Sequence, residues 1–153
     1  MSHENQIATI RNFVPTLRTL VAGLSAEQLT THYVEGEWTV AQNVHHLYDA
    51  HNNAYQLCKR VLTEENAGLS WALQDELANL PDAKRANIEP SLLGLEGLHA
   101  RWADMFSDVE NWGKSGTSLK SGKSYTIERL LEMYSNHCNN HLRQIQDVLD
   151  AMQ

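Results

Sequence analysis

The chain is short of most features that mark a specialised class of protein. Only two of its 153 residues are cysteine and three are proline. Cys58 and Cys138 form neither a CxxC pair nor the disulfide framework of a small secreted domain. Each lies in a helical pattern, where a thiol reads as a small buried apolar group. No apolar run is long enough to cross a bilayer, and the opening MSHENQIATIRNF lacks the basic-then-apolar pattern of a signal peptide. Basic residues are outnumbered, 12 to 19, leaving a net charge of -7 with no Lys/Arg cluster. Phosphate backbones need a basic face, so neither a nucleic acid nor a membrane is an expected partner. No repeat or low-complexity tract is present. What remains is an ordinary globular composition, 42% hydrophobic and 20% charged. It predicts one domain over residues 1–153 with a substantial core and a cytoplasmic location.

What is there is helical periodicity. Ile7, Ile10, Val14, Leu17, Val21 and Leu24 make a first stripe, with Pro15 inside it as an expected bend or break. Ser25 with Gln28 reads as a capping box opening a short turn. Thr39 with Gln42 reads the same way for a second long helix, Trp38 standing before it as a hydrophobic staple. Val40, Val44, Leu47, Ala54, Cys58 and Val61 form its stripe, to about residue 64. Residues 65–89 lose the periodicity, apart from one short helix at Gln74–Ala78. A third long helix begins at Ser91 and carries Leu92, Leu95, His99, Trp102, Phe106 and Val109, with Gly94 and Gly97 allowing close approach of a neighbour. Ser121-Gly122 marks a small hairpin before the last helix. The expected fold is all-α, a four-helix bundle.

The chemistry lies in histidines placed where leucines belong. In TIERLLEMYSNHCNNHLRQIQDVL the stripe of Ile127, Leu130, Tyr134, Ile145 and Val148 runs through His137 and His141. At i and i+4 the two rings share one inward face and can converge on one ion. An imidazole without a partner is costly to bury, so a metal is the expected partner. A catalytic zinc-type site takes three protein ligands, and NVHHLYDAH on the second helix offers the third. By periodicity His45 lies opposite the stripe and faces solvent, while His46 and His51 are not separable. His99 follows Glu96 in an ExxH spacing, but a di-iron bundle needs two such motifs and two further Glu residues. His99 therefore reads as a core residue or one behind the ligands. Asp49, three residues after His46, is a candidate base or orienting group, and a solvated carboxylate equally.

The run GEWTVAQNVHHLYDAHNNAY, then LTEEN, LPD, IEPSLLGLEGLHARW and finally YSNHCNNHLRQI resembles the DinB/YfiT-like superfamily, closest to its YfiT-type metal-dependent hydrolases. The resemblance covers about residues 33 to 148. It implies an up-down-down-up four-helix bundle, often a homodimer. It also implies one divalent transition metal (zinc, nickel or iron) held by the later histidine of the adjacent pair, His46, together with His137 and His141. Leu77 stands where the resemblance would place a tryptophan.

Such a cation can activate a water, as in a hydrolase, or a low-molecular-weight thiol such as bacillithiol or mycothiol, as in the S-transferases related to this family. Cys138 follows His137 and no HExxH is present, which suits thiol transfer. The substrate in either case is a small molecule. Two rivals remain at this stage: a non-catalytic dimeric bundle that binds metal or ligand, and a purely structural bundle whose inward histidines bond to Tyr48, Tyr55 or Tyr134.

Overall fold

The computed structural model describes residues 2–153. Four long helices build the bundle: α1 (His3–Val21), α3 (Val40–Thr63), α5 (Glu89–Ser107) and α6 (Ile127–Ala151), with short helices α2 (Ala26–Thr30) and α4 (Gln74–Ala78) between them. Both capping boxes that the sequence predicts form, and a third cap joins them. Ser25 and Gln28 close one capping box, Thr39 and Gln42 another, and the Thr126 side chain starts α6. Pro15 does not break α1, which is continuous through it. A proline removes one intrahelical bond. Burial of Ile10, Phe13, Val14, Leu17 and Val21 along one face outweighs that loss.

The helices are not packed in chain order. Both α1 and α3 rest mainly on α5 and α6, which puts the two consecutive long helices at opposite corners of the bundle. Their side chains meet across the middle, where the Phe13 and His51 ring centroids are 5.6 Å apart. Gly94 permits the approach of α5 to α3, since a Cβ there would stand 2.4 Å from the Tyr48 ring. Gly97 has no such role, for a Cβ on it would meet nothing within 4 Å. The helix carrying both glycines starts at Glu89, with Pro90 in its first turn, and ends before Val109.

The stretch 65–89 is more ordered than its composition predicts. Ala67–Leu69 forms β1, which pairs in parallel with β2 (Ser115–Ser118), and β2 pairs antiparallel with β3 (Ser124–Thr126). The hairpin at Ser121-Gly122 is as expected, Gly122 taking φ 71°. Strand β1 had no signal because three residues carry no period, and its partner lies nearly fifty residues away. Gly116 makes the pairing possible: a Cβ there would come 2.6 Å from the Ala67 carbonyl oxygen. After α4 the chain takes a 3₁₀ turn at Asp82–Lys84 and folds back over the start of α3, where Gln42 Nε2 donates to the Ala78 carbonyl at 2.9 Å.

That covering overturns the expectation for His45. The ring is buried, its Nε2–H donates to the Arg85 carbonyl at 2.9 Å, and its Nδ1 accepts from the Ser91 hydroxyl at 2.7 Å. Periodicity assumed one buried stripe on α3, yet every residue from Thr39 to Leu47 is buried, because the bundle takes one side and the 65–89 segment the other. His45 is the pin between them.

Candidate metal centre

Helix α3 brings His46 and helix α6 brings His137 and His141 to one place, where one nitrogen from each ring lies within 4.8 Å of the others. The rings of His46 and His141 are 4.8 Å apart at their centroids, those of His137 and His141 4.4 Å. His46 and His141 are buried and His137 partly so. Desolvation disfavours a charged imidazole. Burial accordingly pulls His46 and His137 down to about 4 and His141 to about 3, with His137 adding to the shift on the other two. All three are neutral at pH 7, and each therefore carries one N–H and one lone pair.

Hydrogen bonds behind the rings decide which nitrogen holds which. His141 Nδ1 lies 2.9 Å from Asn43 Oδ1, and the Asn43 amide donates to the Thr39 carbonyl at 3.1 Å. The Asn43 oxygen must then accept, so His141 Nδ1 bears the hydrogen and Nε2 the lone pair. His137 is fixed by a longer chain. His99 Nδ1 sits 2.7 Å from the Ile10 carbonyl, His51 Nδ1 2.8 Å from His99 Nε2, and His137 Nδ1 2.8 Å from His51 Nε2. A carbonyl only accepts. The hydrogen on His99 Nδ1 thus sets its Nε2 as acceptor, which puts a hydrogen on His51 Nδ1 and, by the same step, one on His137 Nδ1. The lone pair of His137 is left on Nε2.

The two lone pairs point at each other. His137 Nε2 and His141 Nε2 are 3.1 Å apart. Between neutral imidazoles with both hydrogens committed elsewhere, this approach is repulsive. A cation between them reverses the sign, and two nitrogens bound at about 2.0–2.1 Å to one tetrahedral ion stand about 3.3 Å apart. Third in the set, His46 has a buried Nδ1 with no hydrogen-bond partner and packs against Trp38 at 4.6 Å between centroids. The residues fit a divalent cation, and outer partners that fix ring orientation are what such ligands carry.

A cavity of about 390 Å³ opens onto this cluster, lined also by Glu37, Trp38, Asn43, Gln74 and Asp75. A cleft of about 590 Å³ lies elsewhere on the surface and one of about 690 Å³ adjoins this cavity at Glu37 and Trp38, but none of the three clustered histidines lines either. Trp38, expected as a staple, instead covers the histidines, and Asn43, Gln74 and Glu37 were not singled out by sequence. Asn43 had a faint signal, as a polar residue one turn before His46. Asp49 does not line the cavity. It is half-buried near Asp82 and His45, and burial and Asp82 raise its pKa. Glu96 pairs with Arg18, away from His99. No tyrosine hydroxyl bonds a histidine among the described residues: Tyr134 accepts from Trp71 Nε1 at 2.8 Å, and the Tyr55 hydroxyl is buried without a partner.

The chain belongs to the DinB superfamily, whose family model matches residues 15–145. Over 144 residues the chain is 40% identical to a protein of Geobacillus thermodenitrificans described as a "putative metal-dependent hydrolase", covering 93% of this chain and 81% of that one. It is 41% identical over 141 residues to a Geobacillus kaustophilus protein of the same description, covering 91% and 79%. Among solved structures it is similar to YfiT from Bacillus subtilis, described as a probable metal-dependent hydrolase with an unusual four-helix bundle topology. The TM-score is 0.93 at 29% identity, covering 99% of this chain and 90% of that one. No described helix is long and apolar enough to cross a membrane.

Proposed function

We propose that the chain is a metal-dependent hydrolase of small molecules, with His46, His137 and His141 as its metal ligands. The observation that carries this reading is the pair of committed lone pairs 3.1 Å apart. A bound divalent cation, zinc, nickel or iron by donor type, supplies Lewis acidity that makes water nucleophilic near neutral pH. The protein's own groups do the rest. Asn43 and His51 hold the His141 and His137 rings with Nε2 outward. Trp38 closes one side of the cluster. Glu37 and Asp75 are the carboxylates lining the same cavity, and one of them takes the proton released as water attacks. That supplies the base whose absence from the HxxxH segment had favoured thiol transfer.

Thiol transfer stays as the second reading, since three imidazoles and a cation acidify a thiol without any base. The chain's own thiols are not its nucleophile: Cys58 and Cys138 are buried, and burial pushes Cys58 up to about 12.

Elemental analysis of the protein purified without added metal or chelator, beside His137→Ala, tests the site. About one equivalent of a divalent transition metal in the parent and background in the variant is the expected result. Background in both, with no uptake of added Zn²⁺ or Ni²⁺, overturns it. A panel of esters and amides, run against a panel of thiols with an electrophile, then separates the two chemistries by product.

A further inference from the structure

The cavity at the histidines has a second compartment. A chamber of about 270 Å³, lined by Ala50, Trp71, Tyr125, Met133 and Tyr134, shares Gln74 and His137 with the histidine cavity. Its walls come from four parts of the fold, Ala50 standing on α3. Trp71 is carried in by the 65–89 segment, Tyr125 by β3, and Met133 and Tyr134 by α6. The Trp71 indole N–H donates to Tyr134 at 2.8 Å, and its ring meets Tyr125 at 5.1 Å between centroids. The hydrogen bond ties the loop to the helix, so the wall is built rather than incidental. A cavity of about 150 Å³ lined by apolar groups is enough to hold benzene, so this chamber takes a six-membered ring with room left over. At the seam, the Gln74 amide N–H₂ donates to the Ala72 carbonyl at 3.2 Å, which turns Oε1 away as an acceptor. That oxygen is buried and has no partner. A buried acceptor without a donor is costly, and a bound N–H or O–H removes the cost.

We propose that the substrate offers three groups to this site. Its reacting polar group lies at the three histidines, an N–H or O–H donates to Gln74 Oε1, and a compact apolar group, an aromatic ring or branched aliphatic chain, fills the chamber of Trp71, Tyr125, Met133 and Tyr134. The acylated amine of a small aromatic or branched acid has this pattern, with its amide N–H beside the carbonyl that is attacked. Water adds to that carbonyl carbon, the C–N bond breaks, and the nitrogen leaves with the proton that water gave up. The proposal rests on the three-histidine metal site.

The test uses zinc-loaded protein and two probes with one metal-binding head, acetohydroxamic acid and benzohydroxamic acid, titrated by calorimetry. Moving the phenyl ring from water into an apolar chamber is expected to tighten binding at least about ten-fold over the methyl probe. In Ala50→Leu, which fills the chamber, and in Trp71→Ala, which removes a wall from a loop outside the bundle, that ratio falls towards one. Circular dichroism and zinc content establish that each variant is folded, and either variant suffices. A ratio near one in the parent protein, or a ratio unmoved by both substitutions, overturns the proposal while the metal site stands. A protein that takes up no zinc and binds neither probe overturns the metal site itself.

Discussion

Two trios of metal-ligating side chains gather among the described residues of the bundle, and they differ in what their nitrogens are doing. One is His46, His137 and His141, the other His51, His99 and Cys138. In the second trio the imidazole nitrogens are spent. His51 gives one to His99 and one to His137, while His99 gives its other to the Ile10 carbonyl. Burial holds His99 at about 4 and His51 well below its ordinary value, and it also raises the Cys138 thiol far from thiolate. In the first trio two lone pairs face each other and a third ring has a buried unpartnered nitrogen. Proximity does not separate structural from functional histidines; hydrogen-bond accounting does. The adjacent residues of α3 repeat the lesson, since both nitrogens of His45 are satisfied by protein and His46 makes no such bond.

The largest expected effect breaks the comparison directly. His137→Ala or His141→Ala lowers Zn²⁺ affinity by ~100-fold or more, measured by competition with a chelator, because two ligands hold a cation poorly. Cys138→Ala leaves it within a few-fold. Equal losses in both would mean that the trios are not different in kind.

Next comes acid. A histidine at about 4 in the folded protein and about 6.5 unfolded binds fewer protons when folded. Its stabilising contribution is therefore complete above pH 6.5 and is lost as pH falls towards 4. For His99 alone the loss is on the order of 2–3 kcal/mol by pH 4. Urea unfolding of chelator-treated protein should show stability falling through that window, less steeply in His99→Gln. A parent and variant with the same pH slope would remove His99 from the account.

His45→Ala sharpens the contrast within α3. It leaves Ser91 and the Arg85 carbonyl without their buried partner and should cost about 1–3 kcal/mol in urea unfolding, with zinc content still one equivalent. Loss of zinc would show that the pin also shapes the site. The smallest effect is expected from Asn43→Ala, which frees the His141 ring without removing a ligand. Zinc affinity should fall by about 10-fold, at the low end for groups behind a ligand. An affinity identical to the parent would mean that packing against Trp38 alone orients His141.

The sequence by itself determined the helices and the face of α6. Periods of 3.6, cap residues at Ser25 and Thr39, and the length of each apolar stripe are local, so they are written locally. His137 and His141 were legible because they interrupt a stripe of otherwise apolar side chains. Tertiary structure decided the rest. The diagonal placement of α1 and α3, the parallel pairing of β1 with β2 and the burial of His45 depend on segments far apart in the chain. Between His46 and His51 periodicity gave no answer, because both point inward. Only the partners brought by α5, α6 and the Ile10 carbonyl show that His51 spends both nitrogens and His46 does not. The roles of Gln74 and Trp71 were not legible, for a residue of the 65–89 segment becomes the wall of a cavity only when the elements around it have closed.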